Sequence, residues 1–327
     1  MVRAEPGTVV CTVDDPRAVE LSGLVATAEG YVSEVDSQFE SDQVRIVYLD
    51  ESCAVIRTVG YPSPPRDPED LAIAPDGTLW VADVGDNIGA STRRQSVALW
   101  QVPSSGGAPV INRLTYPDGP HDAEALLFAA DGSPVIVTKE LGGTAYLYQP
   151  TGALQPGTAA GVPMRRMGEF RPTATGAANS LGAIGETTVT GAATSPDRQR
   201  VALRTYTAAY EWDVSDGDVV KAITTGTPRL TQLPDEPQGE AIAYTVDGQN
   251  FLTLSDESGP TTLRRYHPSS ELAQSAEGSP SQAIAGPSSA ASTSAPMLWY
   301  GLALAAGGAG LLIAALGYFG IRRHRTR

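Results

Sequence analysis

Residues 68–87, PEDLAIAPDGTLWVADVGDN, decide the fold. Two short apolar runs flank Asp76-Gly77, a dipeptide that favours a tight hairpin turn because glycine enters positive φ at no steric cost. Runs this short, bounded by turn residues, read as strands rather than as helix. Glu69, Asp70, Asp83 and Asp86 crowd the ends of the runs away from the turn, where hairpin geometry asks for no acid.

The pattern recurs in degenerate form, which marks a repeat architecture. The other copies are ELSGLVATAEGYVSEVDS from Glu20, DAEALLFAADGSPVIVTKE from Asp122, VTGAATSPDRQRVALRTY from Val189 and GEAIAYTVDGQNFLTLSDES from Gly239. Further strand-like runs follow the hairpins, such as 44–49 with 54–59 and 96–102 with 111–116. Four antiparallel strands per unit of about 45–65 residues describe a β-propeller blade. The last copy supplies only three strands, ending at Tyr266, and residues 8–13, TVVCTV, are expected to add the fourth and close the ring. Residues 1–267 therefore read as an all-β, five-bladed propeller. Six blades is the alternative, since residues 151–188 are long and poor in strand signal. No helix is expected within this domain.

In a propeller the first strand of each blade lines the channel and the second returns beside it. The turns then share one face, and the outer strand ends share the other, about 17 Å away at 3.4 Å per residue. Turn geometry explains Asp76, Asp131 and Asp247. The opposite face gathers the candidate ligand or cation residues: Glu69, Asp70, Asp83, Asp86, Asn87, Asp122, Glu124, Glu140, Glu240 and Asp256, with Lys139 and Arg204 as compensating charges. Crowded carboxylates raise one another's pKa unless a cation intervenes, and oxygen clusters suit hard cations such as Ca²⁺. The competing reading is that these acids bond backbone N–H groups of neighbouring blades and only rigidify the ring. His121 reads as a polar loop residue or as a general base.

All 37 acidic residues precede Pro296, against 19 basic ones there, a net charge of −18. Nucleic acid, which rewards clustered Lys and Arg, is thereby disfavoured as a partner. Residues 268–296 are rich in Ser, Ala, Gly and Pro and read as a disordered linker. Residues 297–321 form an uncharged apolar run with Trp299, Tyr300, Tyr318 and Phe319 at its ends, followed by the basic tail 322–327. Such a run spans a bilayer as one helix, with the basic tail cytoplasmic and the propeller outside at the plasma membrane. The N-terminus shows no apolar export segment, so a signal peptide is expected to lie upstream of this sequence. Cys11 and Cys53 suit one disulfide in an oxidising compartment.

The series ELSGL, PEDLA with VADVGDN, HDAEALL with VTKE, VTGAA with ALRTY, and QGEAIAY resembles a family of secreted or membrane-anchored bacterial β-propeller proteins of unassigned activity. The resemblance covers most of residues 11–267. More remotely, the Glu-containing first strands are similar to phytase-like, NHL-repeat and gluconolactonase-type propellers, a resemblance that implies calcium-dependent hydrolysis in some members and binding alone in others. No catalytic residue carries over. No serine nucleophile elbow, P-loop, dinucleotide fingerprint or HExxH motif occurs. The sequence thus supports a membrane-anchored binding module facing an extracytoplasmic ligand. The alternatives are a calcium-dependent hydrolase of a phosphoester, ester or lactone, and a structural subunit of an envelope complex.

Overall fold

The computed structural model describes residues 5–36, 44–104, 106–177, 179–234 and 236–273. The chain opens with β1 (Thr8–Val13), then forms β2 (Leu21–Thr27), β3 (Gly30–Val35), β4 (Arg45–Leu49) and β5 (Val55–Gly60), which hydrogen-bond in that order as one antiparallel sheet. The stretch that decided the fold becomes β6 (Pro68–Ile73) and β7 (Leu79–Asp83), continued by β8 (Val97–Val102) and β9 (Val110–Thr115). Next come β10 (Ala123–Phe128), β11 (Pro134–Thr138), β12 (Ala145–Pro150) and β13 (Val162–Phe170). A two-pair parallel contact, Val162 with Leu114 and Pro163 with Thr115, joins β13 to β9 and merges these two antiparallel units into one eight-stranded sheet.

A short helix α1 (Ala183–Thr187) precedes the antiparallel sheet of β14 (Val189–Thr194), β15 (Arg200–Thr205), β16 (Ala208–Asp213) and β17 (Arg229–Gln232), and α2 (Val219–Thr225) lies between its last two strands. Finally β18 (Gly239–Tyr244), β19 (Phe251–Ser255) and β20 (Thr261–Tyr266) form a sheet whose fourth strand is β1, paired with β20. The first strands β2, β6, β10, β14 and β18 adjoin one another in that order, and β18 returns to β2. The architecture is all-β and propeller-like.

Turn chemistry sets the hairpins. Gly30, Gly77, Gly132 and Gly248 all take positive φ at the turns, and Arg198 takes φ 58° at the equivalent place. The preceding aspartates accept the N–H two residues on, as in Asp76 Oδ1 with Thr78 N at 2.9 Å and Asp247 Oδ1 with Gln249 N at 3.0 Å. These aspartates do for the backbone what a turn requires.

Among the described residues two helices occur where none was expected. In α2 the buried Val219, Val220 and Ile223 follow a helical period, and Asp218 caps it by accepting from Lys221 N. Its seven residues are too few to stand out from the strand pattern around them. Strand β13 was hidden in a region poor in strand signal because it lies at the outer edge of its unit, where Arg165, Arg166 and Glu169 face solvent.

The seam where the chain ends meet is doubly fastened. One apolar cluster packs Val13, Leu21, Leu24, Val35 and Val47 against Ala241, Leu252, Leu254 and Leu263. Cys11 of β1 is bonded to Cys53, in the turn after β4, with Cα atoms 5.8 Å apart, so the bond links the last sheet to the first. Past β20 the chain lies beside β17, with Glu271 O accepting from Leu230 N and Ala273 N donating to Pro228 O. The expected bilayer span at 297–321, its basic tail and most of the expected linker lie outside the described residues. No helix among the described residues is long and apolar enough to cross a membrane.

Candidate functional site

One irregularity repeats in all five first strands. Pairing slips by one residue between Leu21 and Leu24, Pro68 and Asp70, Ala123 and Ala125, Val189 and Gly191, and Gly239 and Ala241. Each slip is a β-bulge, a device that re-aims a side chain and is common beside functional sites. The residues at the bulges are Ser22, Glu69, Glu124, Thr190 and Glu240, all buried. Because the first strands adjoin in a cycle, these five positions form a ring at the end of the channel opposite the turns.

The two hydroxyls of the ring fasten neighbours together. Ser22 Oγ donates to Glu69 O at 2.6 Å, and Thr190 Oγ1 donates to Gly239 O at 2.9 Å. Neither is therefore poised as a nucleophile. The three glutamates are used differently: each presents a carboxylate oxygen within 4.8 Å of the other two. A second group, Asp36, Asp67 and Glu69, meets the same limit and shares Glu69.

Burial foremost, then repulsion from Asp36, Glu124 and Asp67, holds the Glu69 carboxyl well above the usual range. Burial does the same for Glu124, against the pull of Lys139. Lys139 Nζ lies 2.5 Å from Glu124 Oε1. Burial disfavours its charge, but Glu124, Glu240, Tyr206 and Glu69 outweigh that and raise its pKa well above the ordinary lysine value. Tyr206 Oη donates to Glu240 Oε1 at 3.4 Å. Gln238 Nε2 bridges Glu240 Oε1 and Asp256 Oδ2, and burial with repulsion from Glu240 and Glu20 lifts Asp256 to about 7. Gly85 closes the wall beside Glu69: a Cβ there would stand 2.2 Å from Glu69 Oε1 and 2.6 Å from Asp67 Oδ2.

The remaining sequence candidates serve the scaffold. Asp70, fully buried, accepts from Leu71 N and from Leu126 N, both at 2.8 Å, and so ties β6 to β10. Asp83 accepts from Asp67 N, Arg94 Nη1 and Trp100 Nε1. Asp86 accepts from Arg94 N and Arg93 Nε, and Asp122 from Asp86 N. Asn87 donates weakly to Asp67 at 3.5 Å. Arg204 is fully buried and donates to Ala241 O and Glu236 Oε2, linking β15 to β18 rather than neutralising the mouth. Glu140 accepts from His121 Nδ1 at 2.9 Å, while His121 Nε2 meets Asp118 and Tyr148. The Glu140 contact foremost raises the His121 pKa, and both ring nitrogens already face an acid or a phenol within this cluster.

Asp67 and Gly85 escaped the candidate face as drawn from sequence, whereas Asp36, at the outer end of β3, belongs to that face by the same hairpin topology. Asp67 stands just outside a strand, and Gly85 carries no chemistry of its own. Their signal was position, one or two residues beyond the hairpin ends.

No protein-family profile and no curated protein matches the chain. Among solved structures, a streptogramin B lyase aligns at 13% identity and TM-score 0.36, over 75% of this chain and 65% of the lyase, so the chain spans less than two thirds of that enzyme's length. The Cps50 (Swd1) β-propeller domain of Myceliophteria thermophila aligns at 14% identity and TM-score 0.40, over 79% of this chain and 99% of that one. Virginiamycin B lyase from Staphylococcus aureus aligns at 13% identity and TM-score 0.36, over 77% and 72%. At these scores none of the three lends its activity to this chain, whose architecture is read from its own strand pairing.

Proposed function

We propose that the protein is a membrane-anchored binding module, a five-bladed propeller displayed outside the cytoplasm, whose acidic mouth takes the positively charged group of a ligand. The observation that carries this reading is the bulge ring: Glu69, Glu124 and Glu240 are brought together by the backbone, while the ties between units are made by Asp70, Ser22, Thr190 and Arg204. The five count treats the eight-stranded sheet as two blades, in keeping with five first strands adjoining in a cycle. The anchor rests on residues 297–321 and the basic tail, and the Cys11–Cys53 bond suits an oxidising exterior.

The test uses the full chain in lipid nanodiscs, titrated with spermidine as a cationic probe and followed by calorimetry. Binding that weakens about tenfold or more in Glu69→Gln and Glu240→Gln, with Asp131→Asn on the turn face unaffected, supports the reading. Absence of binding by any cation, or binding indifferent to both glutamine variants, sinks it.

A further inference from the structure

We propose that Glu69, Glu124 and Glu240 are the protein ligands of one divalent-cation site of calcium size, with Glu124 shared between the ion and the Lys139 ammonium. The inference rests on the acidic mouth being the binding site, and it specifies which positive charge the mouth is built to take. Four observations lead to it.

Geometry comes first. Calcium holds oxygens at about 2.3–2.6 Å, so ligands on opposite sides of one ion stand about 5 Å apart. The three carboxylates meet that limit at 4.8 Å, and the bulges that aim them belong to the backbone rather than to adaptable side chains. Second, Glu124 Oε2 is buried without a hydrogen-bond partner, in a residue only 2% exposed. A buried polar atom without a partner costs about 1–3 kcal/mol, and its sister oxygen is already committed to Lys139.

Charge comes third. Three carboxylates facing one ammonium leave two negative charges when all are ionised, the charge of one divalent ion. Lys139 engages one oxygen of Glu124 and leaves the other open, and a compact metal ion can share the carboxylate with the ammonium in that way. Fourth, Gly85 holds the wall back from Glu69 Oε1, where any side chain would intrude on the carboxylate. The coordination positions not filled by the glutamates are left for water or for oxygen atoms of a ligand entering the mouth.

Terbium serves as the probe, because its emission is sensitised by a nearby tyrosine and Tyr206 touches Glu240. In full-length protein in nanodiscs, excitation of tyrosine should produce Tb³⁺ emission that Ca²⁺ displaces with a midpoint below about 1 mM. Tyr206→Leu should lose the emission while calorimetry still detects Ca²⁺. Glu69→Gln, Glu124→Gln and Glu240→Gln should each weaken Ca²⁺ at least tenfold, and Lys139→Met should tighten it, an effect that misfolding does not mimic. Spermidine binding without Ca²⁺ binding overturns the metal site and leaves the binding module standing. Loss of both probes overturns both. Ca²⁺ binding indifferent to the three glutamine variants, or weakened by Lys139→Met, places the ion elsewhere and overturns the proposal.

Discussion

The two ends of the channel are built from the same first strands and titrate in opposite directions. At the turn end, Asp76 is held below the usual carboxylate range, chiefly by Thr78 N–H, and Asp247 chiefly by the Thr245 hydroxyl. Solvent reaches them, and their charge is used by the turn. At the bulge end, burial drives Glu69, Glu124 and Asp256 upward. Between the ends, Asp70 accepts backbone N–H groups from two first strands. Below it a cavity of ≈ 270 Å³ opens among Leu24, Leu71, Ile73, Ala193 and Tyr244. Identical residue types thus stay ionised where solvent and turn N–H groups reach them, and are pushed toward the neutral form where burial and neighbouring acids prevail.

The largest expected effect comes from removing the residue that separates the two ends. Asp70→Ala leaves the buried Leu71 and Leu126 N–H groups without their acceptor, at a cost of about 3 kcal/mol. Urea denaturation should show a clear fall in midpoint, while Asp70→Asn, which keeps a carbonyl acceptor, should lose less. An alanine variant as stable as wild type would mean that Asp70 does not tie the first strands together.

Of comparable size is the effect of the seam, which runs along both ends alike. Cys11→Ser with Cys53→Ser should cost about 2–4 kcal/mol. Hydrogen exchange should quicken first in β1, β20 and β2–β5, and leave β10–β13 little changed. Uniform quickening would show that the ring opens as a whole.

Titration puts the contrast between the ends to a direct test. Glu69, Glu124 and Asp256 keep protons in the folded protein at pH values where the unfolded chain has lost them, and so does Glu34, which burial lifts to about 8. Their contribution to stability is complete below about pH 4 and is lost as pH rises through the folded values, about 7 for Asp256 and about 8 for Glu34. For Asp76 and Asp247 the sign reverses, and their contribution is lost as pH falls below about 4. The melting temperature of chelator-treated protein should therefore decline from pH 5 to pH 8. Glu34→Gln, neutral and close in shape, should flatten that decline. A profile that rises across this interval would remove the picture of strained acids at the bulge end.

Much of this was legible in the sequence because hairpins are local. Asp76-Gly77 and its counterparts fixed the turns, alternation fixed the strands, and the count of strands after Gly239 required β1 to complete the last sheet. What escaped was set by contacts between units. Nothing in PEDLA distinguishes Glu69, aimed into the ring by a bulge, from Asp70, spent on Leu126 N–H, since one residue of register separates them. Asp83 and Asp86 looked equivalent to Glu69 from their charge, yet Arg94 and Trp100, brought in from the following loop and strand, occupy Asp83. The helical period of 219–225 was masked by its brevity.

The smallest effect lies at the turn end. Arg198 stands at φ 58° and reaches out of the β14–β15 turn to donate to Ile73 O at 3.1 Å and Ala74 O at 2.6 Å, at the far end of β6. Since β10 lies between β6 and β14 in the cycle, the guanidinium fastens two units that are not neighbours and borders the apolar cavity. Arg198→Ala forfeits both hydrogen bonds and keeps a side chain in left-handed backbone, for a loss of about 1 kcal/mol. Arg198→Gly forfeits the same bonds but relieves the backbone, so it should fall between alanine and wild type. Neither should alter Ca²⁺ or spermidine binding, because the bulge end is aimed by its own strand pairing. A change in cation affinity in either variant would show that the ends are coupled through Asp70 and that the channel acts as one element.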